Sequence, residues 1–247
     1  MIKLIRSFLI LFSFLIFGIG AFFVNFTIVP LAKFFVKEEN LPDFYSNMVH
    51  RMWKIFVWWL CFIKLIKLDI KNPAELTKIK NKIIVSTHPS FIDVVILVGL
   101  IPKTTCIAKE ALSRNFLMSN ILNTIFITNE ANLDEFKAQT KKMLDSGFNL
   151  IIFPSGIRHR KNEFPKIKKG AATIAVNSAK NIVPVKFYSD FDFLFIHQPI
   201  WQAGEKTVTF SIEKLDEIDV ISELARGETE IVQKKNITKM IENSLYK

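Results

Sequence analysis

The chain reads as an α/β protein, with a largely parallel central sheet flanked by helices and an N-terminal helical membrane anchor. Three observations predict this. From Asp69 onward, short β-branched runs alternate with helical patterns, the arrangement that joins parallel strands through crossover helices. Before that, residues 7–32 carry no charge at all, enough to exceed the ~20 apolar residues that cross a bilayer. Finally, 50% of residues are hydrophobic and mean hydropathy is +0.27, yet 23% are charged. The first two values are too apolar for an ordinary soluble enzyme, and the third is too polar for a multi-span membrane protein. One globular domain with a membrane-embedded piece fits all of them.

Lys3 and Arg6 precede the uncharged stretch. A cleaved signal peptide is the alternative, but the apolar region is long and no small-x-small site closes it. Lys33 and Lys37 follow it, so basic residues flank both sides and do not set an orientation. Arg51 to Lys67 forms a second membrane candidate, too short in its uncharged core to span. At helical periodicity Met52, Ile55, Phe56, Trp59, Phe62, Ile63 and Ile66 share about 120° of arc, leaving Arg51, Lys54, Lys64 and Lys67 outside it. This predicts a basic amphipathic helix in the bilayer interface, with a core-packing helix as the alternative. The anchor is thus placed in residues 1–70 and the main domain in 71–247, with Lys71–Lys80 as a linker.

Strands are expected at Lys82–Ser86, Thr105–Ala108, Ile125–Thr128, Leu150–Phe153, Ile182–Phe187 and Thr207–Ile212. Helices are expected at Val94–Leu100, Phe116–Leu122, Leu133–Ser146, Gly170–Ala179 and Thr229–Leu245. The formal net charge of +10 suits nucleic acid, an anionic bilayer or an acidic substrate. The uncharged N-terminal stretch argues against nucleic acid and for the other two. Cys61 and Cys106 show no metal-ligand or redox spacing, and no metal is expected.

The chemistry centres on Ser86-Thr87-His88-Pro89-Ser90-Phe91-Ile92-Asp93, a strand exit, a tight turn and a helix start. A histidine held by a carboxylate has one ring nitrogen oriented and the other free to take a proton. No Gly-x-Ser-x-Gly elbow occurs, so the activated hydroxyl belongs to a substrate. Lys109 follows a predicted strand, where α/β sheets commonly bind ligands. Then Phe153-Pro154-Ser155-Gly156-Ile157-Arg158-His159-Arg160 ends another strand. Gly156 permits close backbone approach, and a guanidinium clamps phosphate through paired hydrogen bonds. Lys168-Lys169-Gly170-Ala171-Ala172 opens a helix, and Pro184 inside Val183-Pro184-Val185 suggests an edge strand or a local distortion. His50, His159 and His197 have no acidic or metal-type partner at useful spacing.

Together these motifs resemble the glycerolipid acyltransferases of the 1-acylglycerol-3-phosphate type. His88-Pro89-Ser90-Phe91-Ile92-Asp93 is similar to the family's His-x4-Asp, and Lys109-Glu110-Ala111-Leu112 to its Lys-x-Glu-Leu segment. Phe153 to Arg158 resembles its Phe-Pro-Glu-Gly-Thr-Arg, with Ser155 and Ile157 standing where Glu and Thr are usual. Order and spacing agree from about Lys82 to Phe187. The resemblance implies a lysophospholipid acceptor and an acyl thioester of coenzyme A or acyl carrier protein as co-substrate, with no further cofactor. His88 would be the general base, oriented by Asp93, on the cytoplasmic face of a membrane. Arg158 and Lys109 would hold the acceptor's phosphate, with Ser155 and Gly156 in the same turn and Arg160 assisting. Asn129 replaces a family arginine that binds phosphate, which leaves the acceptor headgroup open; glycerol 3-phosphate or another lysolipid is the runner-up. Outside acyl transfer, a lipid hydrolase or a non-catalytic protein binding anionic lipid fits the same composition.

Overall fold

A computed structural model describes residues 2–108, 126–128 and 132–247. The expected helix Phe116–Leu122, together with Lys109 and Asn129, lies outside the described residues. The chain opens with α1 (Ile2–Phe23), a π-helical turn (Val24–Ile28) and α2 (Val29–Phe35). These form one apolar helical stretch of 34 residues. The π turn falls just before Pro30, whose ring and missing N–H disturb the regular ladder.

α3 (Leu41–Phe62) returns antiparallel to α1. The two interlock through Phe17 and Phe56 with ring centroids 4.8 Å apart and through Trp59 Nε1 donating to Ser13 Oγ, while Tyr45 of α3 donates to the Val29 carbonyl of α2. The expected helix Arg51–Lys67 is corrected at both ends. Lys64 takes a positive φ of 56°, and Leu65 N–H bonds back to Leu60 O while Lys64 N–H bonds to Cys61 O. That is a Schellman cap, which ends the helix before Ile63 and Ile66 can join its apolar face. The buried side is instead Tyr45, Val49, Trp53, Phe56, Val57 and Leu60. Ile55, Trp58 and Phe62 remain exposed. Core packing, the alternative expectation, thus holds for one side of the helix, and the other side is an exposed apolar face.

β1 (Ile66–Lys71) follows at once and straddles the boundary expected between anchor and main domain. Its alternating exposure and three charged residues, Lys67, Asp69 and Lys71, give it no β-branched run. α4 (Pro73–Thr77) occupies the expected linker, with Leu76 buried. Then come β2 (Ile83–Ser86), α5 (Asp93–Leu100), β3 (Thr104–Ala108) and β4 (Ile127–Thr128). After these follow α6 (Leu133–Asp145), β5 (Asn149–Ile152), α7 (Gly170–Ser178), β6 (Ile182–Ser189), β7 (Val208–Lys214), α8 (Val220–Leu224) and α9 (Glu230–Tyr246).

The strands form one sheet in the order β1-β7-β6-β2-β5-β3-β4. All neighbours pair in parallel except β6 with β7. Alternate residues face opposite layers, as the pleat requires. Ile84, Ile151 and Val183 face α3 and α5, whereas Ile83, Leu150 and Ile182 face α7 and α9. Pro184 sits in an interior strand, not at an edge. It lies where the β6–β7 ladder stops at Val185–Lys214, before the isolated bridge of Ile182 with Ile218, so its missing N–H meets a break in pairing.

α3 lies along α5 over its length. Asp43 pairs with Lys103 at 2.8 Å, and His50 Nδ1 meets the Val98 carbonyl at 2.7 Å. At Gly99 an added Cβ would stand only 3.1–3.3 Å from the backbone of Trp53 and Lys54.

Candidate active site

β2 ends at the turn that carries His88, and α5 begins with Asp93, so strand and helix together aim the pair at the sheet's C-terminal end. His88 Nδ1 and Asp93 Oδ2 lie 2.6 Å apart. Asp93 is fully buried, and two backbone amides also hold it. Ser90 N donates to Oδ2 at 3.2 Å and Val94 N to Oδ1 at 2.8 Å. A buried carboxylate needs such partners, and three donors from one turn supply them. The carboxylate acceptor assigns the proton to Nδ1 and leaves Nε2 to accept. Among the described residues Nε2 has no hydrogen-bond partner, and the side chain is 22% exposed. The imidazole stacks on Phe153 at 4.2 Å between ring centroids, 19° from parallel. Pattern reading missed Phe153 because it passes for the last residue of an apolar strand.

The turn after β5 is bonded to the His88 turn, since His159 N donates to the His88 carbonyl at 2.9 Å. Arg158 Nη1 donates to Leu194 O at 2.8 Å, and the same carbonyl accepts Phe91 N at 3.1 Å. One carbonyl thus joins the Arg158 guanidinium to the His88–Asp93 turn. Ser155 is buried, its hydroxyl donating to Ile157 O at 2.9 Å, so it braces the turn. Gly156 has φ of 71°, which disfavours any side chain, and its open side holds Lys168 rather than empty space. A Cβ there would come within 2.8 Å of Lys168 Nζ. Arg160 is already engaged. Nε lies 3.0 Å from Asp192, Nη1 lies 3.2 Å from Glu163, and the guanidinium stacks 4.5 Å over Phe195. An anion reaching Arg160 would have to displace those carboxylates.

His159 is buried between the His88 turn and Tyr246, whose ring lies 5.9 Å away, edge to face. Its Nδ1 bonds to the Arg160 carbonyl, and its Nε2 has no hydrogen-bond partner among the described residues. Burial, with the neighbouring His88 adding to it, holds its pKa below the usual histidine value. No group of three or more His, Cys, Asp or Glu suited to a metal occurs among the described residues. Cys106 is buried, and burial pushes its thiol well up.

The acyltransferase family profile matches residues 67–188, the stretch that contains His88, Asp93, Phe153, Ser155, Gly156, Arg158 and Arg160. This stretch is an acyltransferase domain. Among its relatives, a probable 1-acyl-sn-glycerol-3-phosphate acyltransferase of Mycoplasma pneumoniae is 29% identical over 161 residues, covering 61% of this chain and 58% of that one. The 1-acyl-sn-glycerol-3-phosphate acyltransferase of Borreliella burgdorferi is 26% identical, covering 76% of this chain and 73% of the relative. Among solved structures, the 1-acyl-sn-glycerophosphate acyltransferase of Thermotoga maritima superposes with a TM-score of 0.72 at 20% identity. It covers 98% of this chain and 95% of its own, and so shares the fold of the two-helix segment as well as the sheet.

Proposed function

We propose that this acyltransferase moves a fatty acyl group from an acyl thioester to the free hydroxyl of a lysophospholipid, with 1-acylglycerol 3-phosphate as acceptor. The observation that carries the reading is the 2.6 Å pair of His88 and Asp93, with Nε2 unoccupied at the sheet's C-terminal end. Nε2 takes the hydroxyl proton as the oxygen attacks the thioester carbonyl. The C–O bond forms, the C–S bond breaks, and the imidazolium returns the proton to the leaving thiolate. Asp93 holds the ring and stabilises its charged form. Arg158 clamps the acceptor's phosphate, with Lys109 as its partner.

The donor thioester is cytosolic, so the sheet faces the cytoplasm. The two-helix segment supports embedding in one leaflet rather than a crossing. α3 packs on α5 where His50 meets the Val98 carbonyl and Gly99 abuts Trp53 and Lys54, and Arg6 at the start of α1 bonds to Lys64 O at 2.9 Å, just beyond the end of α3. Both ends of the hairpin therefore stay with the sheet, while Phe8, Leu15, Phe34 and Phe35 face outward. The deciding experiment offers purified protein a labelled acyl thioester with lysophosphatidic acid, other lysolipids and glycerol 3-phosphate, read by mass. Transfer to 1-acylglycerol 3-phosphate supports the reading. His88→Ala should cut turnover by ~10²–10⁴-fold with vesicle binding intact, and substantial remaining activity would remove the base from His88.

A further inference from the structure

The segment joining β6 to β7, residues 190–207, is folded by its own contacts. Phe193, Leu194, Phe195 and Ala203 are buried. Gln198 accepts from Phe195 N and donates to the carbonyls of Asp192 and Gln202. Leu194 and His197 are held at φ of 52° and 62°, a region that side chains disfavour unless their surroundings impose it. On this fixed backbone Ile196, Ile200 and Trp201 nevertheless stand outside, Trp201 at 57% exposure. A loop with apolar residues to bury does not ordinarily turn a tryptophan and two isoleucines to water.

The loop is attached at two places. Arg6 in α1 donates to Ala203 O at 3.5 Å and to Lys206 O at 2.6 Å, and Lys3 pairs with Glu205 at 3.1 Å. The exposed apolar side chains of the first turns of α1, including Leu4 and Phe8, thus begin where the loop ends. At its other end, Leu194 O holds Arg158 and Phe91 N, Phe193 O accepts the Ser90 hydroxyl, and Asp192 holds Arg160. One rigid loop therefore contacts both the apolar anchor and the cradle of the His88 turn.

We propose that Ile196, Ile200 and Trp201 are a second membrane contact, a tip that enters the bilayer interface and sets the His88–Arg158 site against it, so that a lipid-held acceptor reaches the site. The proposal rests on the reading of α1 to α3 as a membrane anchor, with whose outer face the tip is continuous. Tryptophan favours the headgroup level, and the isoleucines suit the acyl boundary. An acidic carrier protein is the competing occupant, and the tip offers it no cation, since residues 190–205 contain neither Lys nor Arg.

The test uses the full chain on phosphatidylcholine vesicles containing brominated lipid. The tryptophan emission present in the wild type and lost in Trp201→Phe should be strongly quenched; if it is untouched by bromine, the proposal is overturned. The pair Ile200→Asp and Trp201→Asp should still float with vesicles through the anchor. Its apparent KM for vesicle-held long-chain 1-acylglycerol 3-phosphate should rise about tenfold, while KM for a short-chain, freely soluble form stays unchanged. An equal rise for both forms would mean a distorted site, and a loss seen only with a carrier-protein thioester would mean a carrier-docking loop. Either result overturns the proposal. Wild-type protein that fails to float would defeat the anchor reading and this one together. Flotation and transfer with a silent Trp201 would defeat this one alone.

Discussion

Asp93 serves three donors with one carboxylate, and that economy explains why the His88 turn has so little freedom. His88 Nδ1, Ser90 N and Val94 N all converge on it. Arg158 acts at a distance from that proton chemistry. Its guanidinium binds Leu194 O, and in the proposed reaction it holds the acceptor's phosphate, so Arg158→Ala should raise the acceptor KM at least about tenfold and leave kcat much closer to wild type. An unchanged KM in steady-state assays would take Arg158 out of the acceptor site. His159 adds a pH dependence of stability. Its folded pKa lies below the free value of 6.5, so the unfolded chain binds the extra proton first as pH falls. Stability is therefore full above about pH 6.5 and declines from there toward the folded pKa. His159→Phe, which keeps a buried ring and removes the titrating group, should flatten that acid slope in thermal melts between pH 7 and 5.

At the scale of elements, the α3–α5 contact is the tightest helix pairing that the glycine positions reveal. Gly99→Ala would drive a methyl into the backbone of Trp53 and Lys54, and overpacking of that kind costs about 1–3 kcal/mol. Chemical denaturation in detergent should show the loss, with acyl transfer at low temperature preserved in the folded fraction. Most elements were legible because their apolar runs are long and uninterrupted, as in Ile83–Ser86 and Asn149–Ile152, strands buried on both faces. β1 was not legible, since alternating charges break its apolar run and Ile66 falls on the apolar arc of the expected helix Arg51–Lys67. The end of α3 was obscured for a different reason: its apolar periodicity runs on through Ile63 and Ile66, and only the left-handed Lys64 breaks it. In the site, the spacing of His88 and Asp93 is weak alone, and the strand-turn-helix setting with the motifs downstream made the pair legible; the two lie 2.6 Å apart. The partners of Arg160 could not be read, because Asp192 lies 32 residues away on another loop.

For the whole molecule, the boundary between the helical hairpin and the sheet layer runs through a shared core. One hydrophobic cluster takes Ile10, Val49 and Leu60 from the helical hairpin together with Ile84, Val95 and Phe187 from the sheet layer. A fragment beginning at residue 71 would lose β1 and uncover α5, so it should be insoluble or molten, with near-ultraviolet circular dichroism lost. A fragment with sharp tertiary signals would show that the sheet stands alone. The covered flank of α5 also carries a practical lesson for anyone wanting this catalyst without detergent. Trimming the hairpin would tear out part of the interior, whereas repainting its outermost phenylalanines and leucines with glutamate and lysine would leave the scaffold whole. The route to a water-soluble form is thus cosmetic, not surgical.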